Sequence, residues 1–478
     1  RFDAATAFVV FDDHRRADWT PYVYRTDDFG RTWTSLRTPA IDGYCLTILQ
    51  DPVQKDLLFL GTEFGLWLSF DGGQQWQKWK HGLPTASVMA MAIQPEAHDL
   101  VVATHGRSMF VLDDLAPLRT LTPELLQQPL HLFAIPDAVQ FITAQTPGSR
   151  FPGTGEYRGE AVPRGAMLTL ITNADELAHA DAEQDKPRKA ARAAKAAAEA
   201  EAKAAAAKAD PAQAPKSPSK EPPKDQVTVE VRAADGTPVR TFREGVKLGL
   251  NRICWRFDTD GVPGPARELQ EDPELPPGNG GEAVPGAYTV TVKFQGQERS
   301  EKLALLPDPR TPFDLAAARS KAAARSTVQA IHRDLHAATQ RLARSKRDVE
   351  LCRQRLALEP KPKDGTADPH QATRSALDQC QKAIDELETR LYGPQGKQGI
   401  VRAQGLLNAT RENLDITAGW DPPNATERLG LERARQQTDE LVAAVNTFVA
   451  GPLAEFNTAF ASSGLGLLPK ATPVELGK

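Results

Sequence analysis

The segment Thr26-Asp27-Asp28-Phe29-Gly30-Arg31-Thr32-Trp33 returns as Ser69-Phe70-Asp71-Gly72-Gly73-Gln74-Gln75-Trp76, with Trp33 and Trp76 43 residues apart. The same offset carries Ile48 onto Met91, Pro52 onto Pro95, Asp56 onto Asp99 and Leu57 onto Leu100. One offset that aligns turns, prolines and apolar runs together marks an internal repeat, and the repeat decides the fold of the N-terminal part. The shared Ser/Thr-x-Asp-x-Gly-x-x-Trp pattern has a physical logic. The carboxylate of Asp28 or Asp71 can accept backbone N–H groups across a hairpin, Gly30 or Gly73 supplies a positive φ, and Trp33 or Trp76 covers the turn beside Thr26 or Ser69.

Between the turns, Leu57-Leu58-Phe59-Leu60, Leu66-Trp67-Leu68-Ser69 and Val88-Met89-Ala90-Met91-Ala92-Ile93 read as short strands. Four such strands in 43 residues make one blade of a β-propeller. Strands are expected near 46–50, 57–62, 66–69 and 76–80 in the second unit and near 88–94, 100–103 and 109–112 in the third. The first unit offers only 7–11, 21–26 and 32–36, so its innermost strand is unaccounted for. A propeller closes with at least about four blades, so residues 1–120 are expected to be the last blades of an incomplete propeller. The remaining N-terminal blades are its expected partners, and an opening on Arg1 suggests processing or truncation.

The two turns resemble the Asp-box (BNR) hairpin of sialidase-like and sortilin-like propellers. The run from Leu57 to Asp114, with Gly61-Thr62-Glu63-Phe64-Gly65 and Thr104-His105-Gly106-Arg107, looks like the closing blades of large bacterial sortilin-like proteins often labelled glycosyl hydrolases. The resemblance implies a secreted, periplasmic or cell-envelope protein and a structural role for the boxes; it transfers no catalytic residue.

Outward from the repeat, 478 residues imply about three domains. Lys+Arg 58 against Asp+Glu 62 provides no field to attract nucleic acid, and no apolar run is long enough for a membrane span. After a connector expected over 121–156, alternating runs such as Met167-Leu168-Thr169-Leu170-Ile171 and Tyr288-Thr289-Val290-Thr291-Val292 predict a β-sandwich over 157–308. Their order resembles immunoglobulin-like or fibronectin-like modules. Residues 174–226 interrupt it with an Ala/Lys/Glu run followed by Pro211, Pro215, Pro218, Pro222 and Pro223, read as a solvated excursion.

From Pro312 the apolar period lengthens. Val328, Ile331, Leu335, Ala338, Leu342, Ser345, Val349, Cys352 and Leu356 form one stripe; Leu377, Cys380, Ile384, Leu387 and Leu391 a second; Ile400, Ala403, Leu407, Thr410 and Leu414 a third; Leu431, Ala434, Thr438, Leu441, Val445 and Phe448 a fourth. A helical bundle or pair of helical hairpins is expected over 309–460, with a tail at 461–478 and seams that could support a homodimer. An antiparallel hairpin would bring Cys352 near Cys380, as a disulfide or as two buried thiols. The spacing of the four cysteines suggests no zinc site, and no nucleophile elbow or phosphate-binding glycine loop is present, so no metal or cofactor is expected.

The chemistry is expected at the turns opposite the boxes. There Asp12, Asp13, His14 and Trp19 occupy the first connection, Glu63 and Phe64 the second, and His105 and Arg107 the third. Carboxylates, imidazoles, a guanidinium and aromatic rings on one rim suit a peptide, protein or glycan ligand. The alternative is a glycoside hydrolase whose catalytic residues lie largely upstream, with Glu63 and Asp12 or Asp13 as the carboxylate pair to examine.

Overall fold

The computed structural model describes residues 2–142, 161–209, 223–270, 278–359, 367–393, 405–414, 416 and 419–465. The chain is built mainly of β-sheets, followed by a helical region, and divides into a unit over Arg1–Gln128 and another over Pro129–Lys478.

In the first unit the repeat becomes three antiparallel up-and-down sheets. The first has β1 (Ala7–Asp13), β2 (Asp18–Thr26) and β3 (Thr34–Ser35) in that order; the second has β4 (Cys45–Gln50), β5 (Leu58–Thr62), β6 (Gly65–Ser69) and β7 (Gln77–Lys78); the third has β8 (Val88–Ile93), β9 (Leu100–Thr104) and β10 (Met109–Leu112). The 43-residue offset holds at the level of register: Tyr24 pairs with Ser35 as Trp67 pairs with Lys78. β1 therefore corresponds to β5, and β4 has no counterpart in the first sheet. The outer strands expected over 32–36 and 76–80 shrink to two residues each, because the preceding turn holds the backbone through Trp33 and Trp76.

Alternation of side chains sorts the core. Leu58 and Leu60 face the first sheet and pack with Val23, Leu36, Ile41, Cys45, Trp67 and Trp76. Leu57 and Phe59 face the third and pack with Leu66, Leu68, Val88, Leu100 and Val102. Every residue of β5 and β6 is buried, as befits a middle layer. Leu115 and Leu118, at and within the short helix α1 (Ala116–Thr120), cap the second cluster, followed by α2 (Pro123–Leu126). Beneath α1 the fully buried Asp51 accepts Nε–H of Arg119 (3.0 Å), with the N–H groups of Val53 (2.8 Å) and Gln54 (2.7 Å).

In the second unit, two sheets share one core. One is β11 (Leu130–Leu132), β13 (Ala166–Thr172) and β16 (Gly249–Trp255) in spatial order β11-β13-β16. The other runs β12 (Ala138–Gln140), β20 (Gln297–Pro307), β19 (Gly286–Phe294), β14 (Gln226–Ala233), β15 (Pro238–Gly245). β17 (Asp258–Asp260) and β18 (Asn279–Glu282) form a separate pair. Trp255, Phe257, Leu168, Val229, Val290 and Phe294 are among the residues that fill the core. Residues 121–156, expected as a connector, supply β11 and β12, and β12 joins β20 in parallel. Runs of three residues are too short to show a period in the sequence.

The insertion also differs from expectation at its start. Leu177 is fully buried in the sandwich core and Ala174 packs against it, while Arg188 and Arg192 donate to the Leu177 carbonyl (3.3 and 2.9 Å). Only then does the chain leave as α3 (Ala182–Ala209), which carries Pro187 in its first turns. Of the prolines expected to end the helix, Pro211, Pro215, Pro218 and Pro222 lie outside the described residues.

The helical region comprises α4 (Leu315–Ala357), α5 (Gln371–Tyr392), α6 (Leu406–Asn413), α7 (Ala425–Phe448) and α8 (Ala454–Ser462). The seam residues Ile331, Leu335, Leu342, Val349, Leu377, Ile384, Leu391, Leu441 and Val445 lie in one core; Ile400 and Ala403 lie outside the described residues. Asn424 and Glu427 form a capping box at the start of α7, and Glu427 also pairs with Lys321 of α4 (2.9 Å), both ends of that pair buried. Cys352 and Cys380 are both free thiols, and burial pushes Cys380 up to about 11.

Candidate functional site

The two repeated turns make the same hydrogen bonds. Thr26 Oγ1 donates to Asp28 (2.8 Å) and accepts Gly30 N–H (2.9 Å), and Asp28 accepts Thr32 N–H (2.9 Å). Ser69 Oγ donates to Asp71 (2.8 Å) and accepts Gly73 N–H (2.8 Å), and Asp71 accepts Gln75 N–H (2.9 Å). Gly30 and Gly73 adopt φ +82° and +97°, and a Cβ on Gly73 would meet Leu36 at 2.7 Å. Both carboxylate oxygens of Asp28 and Oδ1 of Asp71 are engaged inside these turns. The two tryptophans part company: Trp76 is buried and donates its indole N–H to the Leu36 carbonyl (2.9 Å), whereas Trp33 is 45% exposed.

Since strands alternate in direction, the β1–β2, β5–β6 and β9–β10 turns lie at the other end of the sheets from these repeated turns. β1 runs out through Asp13 into a single 3-10 turn at His14–Arg16, closed by Ala17 in the left-handed region at φ +61°. Asp12 anchors that turn: its carboxylate accepts both the backbone N–H (3.0 Å) and ring Nδ1–H (2.6 Å) of His14. Burial raises the Asp12 carboxyl, but these bonds and the neighbouring imidazole and Arg15 outweigh it and hold the group below the ordinary carboxylate range. The His14 ring stacks on Tyr44 at 4.5 Å and 17°, and Trp19 lies against both, 6.1 Å from His14 and 5.9 Å from Tyr44.

A chain of hydrogen bonds runs along this end of the second and third sheets. Glu63 N–H donates to the Tyr44 carbonyl (3.1 Å), Ser87 Oγ to the Glu63 carbonyl (3.0 Å), and His105 N–H to the Ser87 carbonyl (2.9 Å). Gly43 permits the first rung, since a Cβ there would stand 2.9 Å from both Glu63 and Phe64. The result is a cleft of about 640 Å³ lined by Asp12, Asp13, His14, Arg15, Arg16, Tyr44, Leu46, Ser87, Met89 and His105. Burial, then the nearby charges of Glu63 and Asp12, push the Tyr44 hydroxyl upward.

Of the residues singled out in the sequence, Asp12, Asp13, His14 and His105 line this cleft and Trp19 borders it through ring contacts. Glu63 contributes mainly backbone, Phe64 covers Gly43, and Arg107 does not line the cleft. Sequence reasoning missed Tyr44, Leu46, Ser87 and Met89. The signal was present: Tyr44 and Ser87, like Leu46 and Met89, are repeat equivalents 43 residues apart, on and just before β4 and β8. No cluster of three metal-donor side chains occurs among the described residues, and no described helix is long and apolar enough to cross a membrane.

No family model and no curated protein sequence matches the chain. Among solved structures it is similar to the GH74 enzyme of Niastella koreensis, with 14% identity, TM-score 0.21, and coverage of 36% of this chain and 27% of that one. It is similar to YCF48 bound to the D1 peptide at 15% identity and TM-score 0.13, covering 19% and 44% of the two chains. It is also similar to the extracellular domain of the one-component system BT4673 from B. thetaiotaomicron at 12% identity and TM-score 0.16, covering 60% and 28%. The chain thus spans less than half the length of each of these structures.

Proposed function

We propose that the first unit is a ligand-binding module whose cleft takes a glycan, acting in a secreted or cell-envelope protein. The observation that carries this is the Trp19–His14–Tyr44 ring cluster standing beside Asp12 and Asp13 at the cleft mouth. Flat rings offer a face for the C–H side of a sugar, and carboxylates beside them accept hydrogen bonds from its hydroxyls. A peptide ligand would use the same rings with Arg15 and Arg16. Trp19→Ala should weaken oligosaccharide binding at least about tenfold, the loss of roughly 1.4 kcal/mol. Because Trp19 is 56% exposed, the melting temperature should not move. Glycan arrays and titration calorimetry read the outcome; unchanged binding to glycans and peptides would refute the reading.

Hydrolysis is the second reading, favoured by Asp12 and Asp13 sharing the cleft. Asp12 is held ionised, which suits a nucleophile or base and not the proton donor. Turnover of aryl glycosides abolished by Asp12→Asn would establish it; binding without turnover leaves the module a binder.

A further inference from the structure

The second unit holds a crevice of about 350 Å³ where the β17–β18 hairpin lies on α4. Four residues of α4 line it, Arg325, Val328, Gln329 and His332, and their offsets of three, four and seven place them on one face of the helix. The hairpin can approach that face because it carries glycine there. A Cβ on Gly280 would stand 2.5 Å from both the Asp260 carbonyl oxygen and Gln329 Nε2, and one on Gly281 would stand 3.3 Å from Cδ of Arg325. Gln329 fastens the contact, donating from Nε2 to the Asp260 carbonyl (3.2 Å). Further along α4, Nδ1 of His336 lies 2.9 Å from the Gly264 carbonyl, and Nε2 of Gln340 donates to that of Glu268 (3.0 Å). The chain leaving β17 is thereby held along the helix.

Neighbouring groups fix the orientation of the Arg325 guanidinium. It donates to the Gly419 carbonyl (3.2 Å) and stands over the Trp420 ring at 5.2 Å, and the Trp420 indole in turn donates to Gln140 Oε1 (3.1 Å). Burial opposes the charge of Arg325 and outweighs the support of Glu282 and Glu427, pulling the group below its ordinary value. Each of those carboxylates also binds a second cation, Arg164 at 2.8 Å and Lys321 at 2.9 Å. An anion beside Arg325 would offset the cost of its burial. His332 is likewise pulled down by burial, so at neutral pH its ring is uncharged and offers one N–H. Val262, Val328, Leu414 and Ile416 give the crevice apolar walls.

We propose that this crevice binds a small amphipathic carboxylate, with its charged end on Arg325 and its hydrocarbon part against Val262, Val328, Leu414 and Ile416. A planar guanidinium suits a carboxylate, and a donor already oriented loses little freedom on binding. A phosphate dianion fits less well, since His332 adds no charge and four apolar side chains would face its oxygens. The volume lies at the small end of ligand pockets, which suits a chain of a few carbons. Every residue of the site belongs to the second unit, so it is independent of the cleft in the first.

Saturation-transfer NMR on the 478-residue chain tests this, with hexanoate as the probe and hexanamide as its uncharged counterpart. Hexanoate should receive saturation, and hexanamide should bind at least about tenfold more weakly. Arg325→Gln should weaken hexanoate by at least about the same factor. Because Arg325 also packs on Trp420, a second variant is needed: Val328→Trp fills the crevice, leaves Arg325 in place and should abolish the hexanoate signal. Melting temperatures check that both variants are folded. No saturation of hexanoate, equal binding of hexanoate and hexanamide, or undiminished hexanoate binding in either folded variant would overturn the proposal. So would inorganic phosphate that displaces hexanoate at equal concentration, since the apolar walls would then contribute nothing.

Discussion

Trp33 and Trp76 are the same residue in the repeat and different residues in energy. Trp76 buries its ring between two sheets and places its one donor on Leu36, so Trp76→Ala should cost about 3 to 5 kcal/mol. Trp33→Ala in the same chain removes a half-exposed ring and should cost no more than about 0.5 kcal/mol. Denaturant melts of the two variants give the comparison, and equal costs would show that the turn, rather than the covering sheet, sets the value. Cys45 makes a pH-dependent prediction. It is wholly buried, and burial pushes its thiol up to about 12. The unfolded thiol ionises near its ordinary value of 9.0, so the folded state holds more protons between that point and about 12. The contribution is complete below the lower value and is lost as pH rises through the window, so stability falls with alkali. Cys45→Ala should flatten that slope. At pH 8, alkylation of Cys45 should track global unfolding; rapid labelling of the folded chain would contradict it.

Elements are held by buried charges placed where one helix meets a sheet or another helix. Asp51 is fully buried, and Arg119 is its cationic partner, fixing α1 against the β4–β5 connection. Arg119→Ala strands the carboxylate and should cost about 3 to 5 kcal/mol, whereas replacing the pair together by neutral residues should cost much less. Thermal melts of the single and double variants decide it; additive losses would mean that the two residues act separately. Helix seams were legible in advance because a long helix repeats its apolar stripe many times, as from Val328 to Leu356. Three-residue strands such as β11 and β12 were not, since pairing and not pattern defines them, and the sequence overstated the length of β3 and β7 for the same reason.

At the scale of the whole molecule, the insertion divides into a start anchored in the core around Leu177 and the outgoing helix α3. Deleting residues 182–222 with a short Gly/Ser bridge should leave stability nearly unchanged, because the described residues of α3 bury little. Deleting 174–226 as well removes Leu177 from the core and should cost about 2 to 5 kcal/mol. Limited proteolysis should cut first within 182–222, and protection there equal to that of β14 would sink the distinction.

The 43-residue repeat, the turn chemistry at Asp28 and Asp71, and the helical seams were determined by the sequence alone, because each is a local pattern repeated at a fixed spacing. The rim of Asp12, His14 and His105 was legible for the same reason: equivalent turns of a repeat fall at one end. What only the tertiary structure decided is where layers meet. It put Tyr44 under His14, tied Glu63 to Ser87 through backbone groups, drew Leu177 into a distant core, and buried Trp76 while leaving Trp33 open. None of these follows from composition or period. Contact between residues far apart in the chain depends on how sheets stack, and identical repeat positions acquire different environments according to what lies on the next layer.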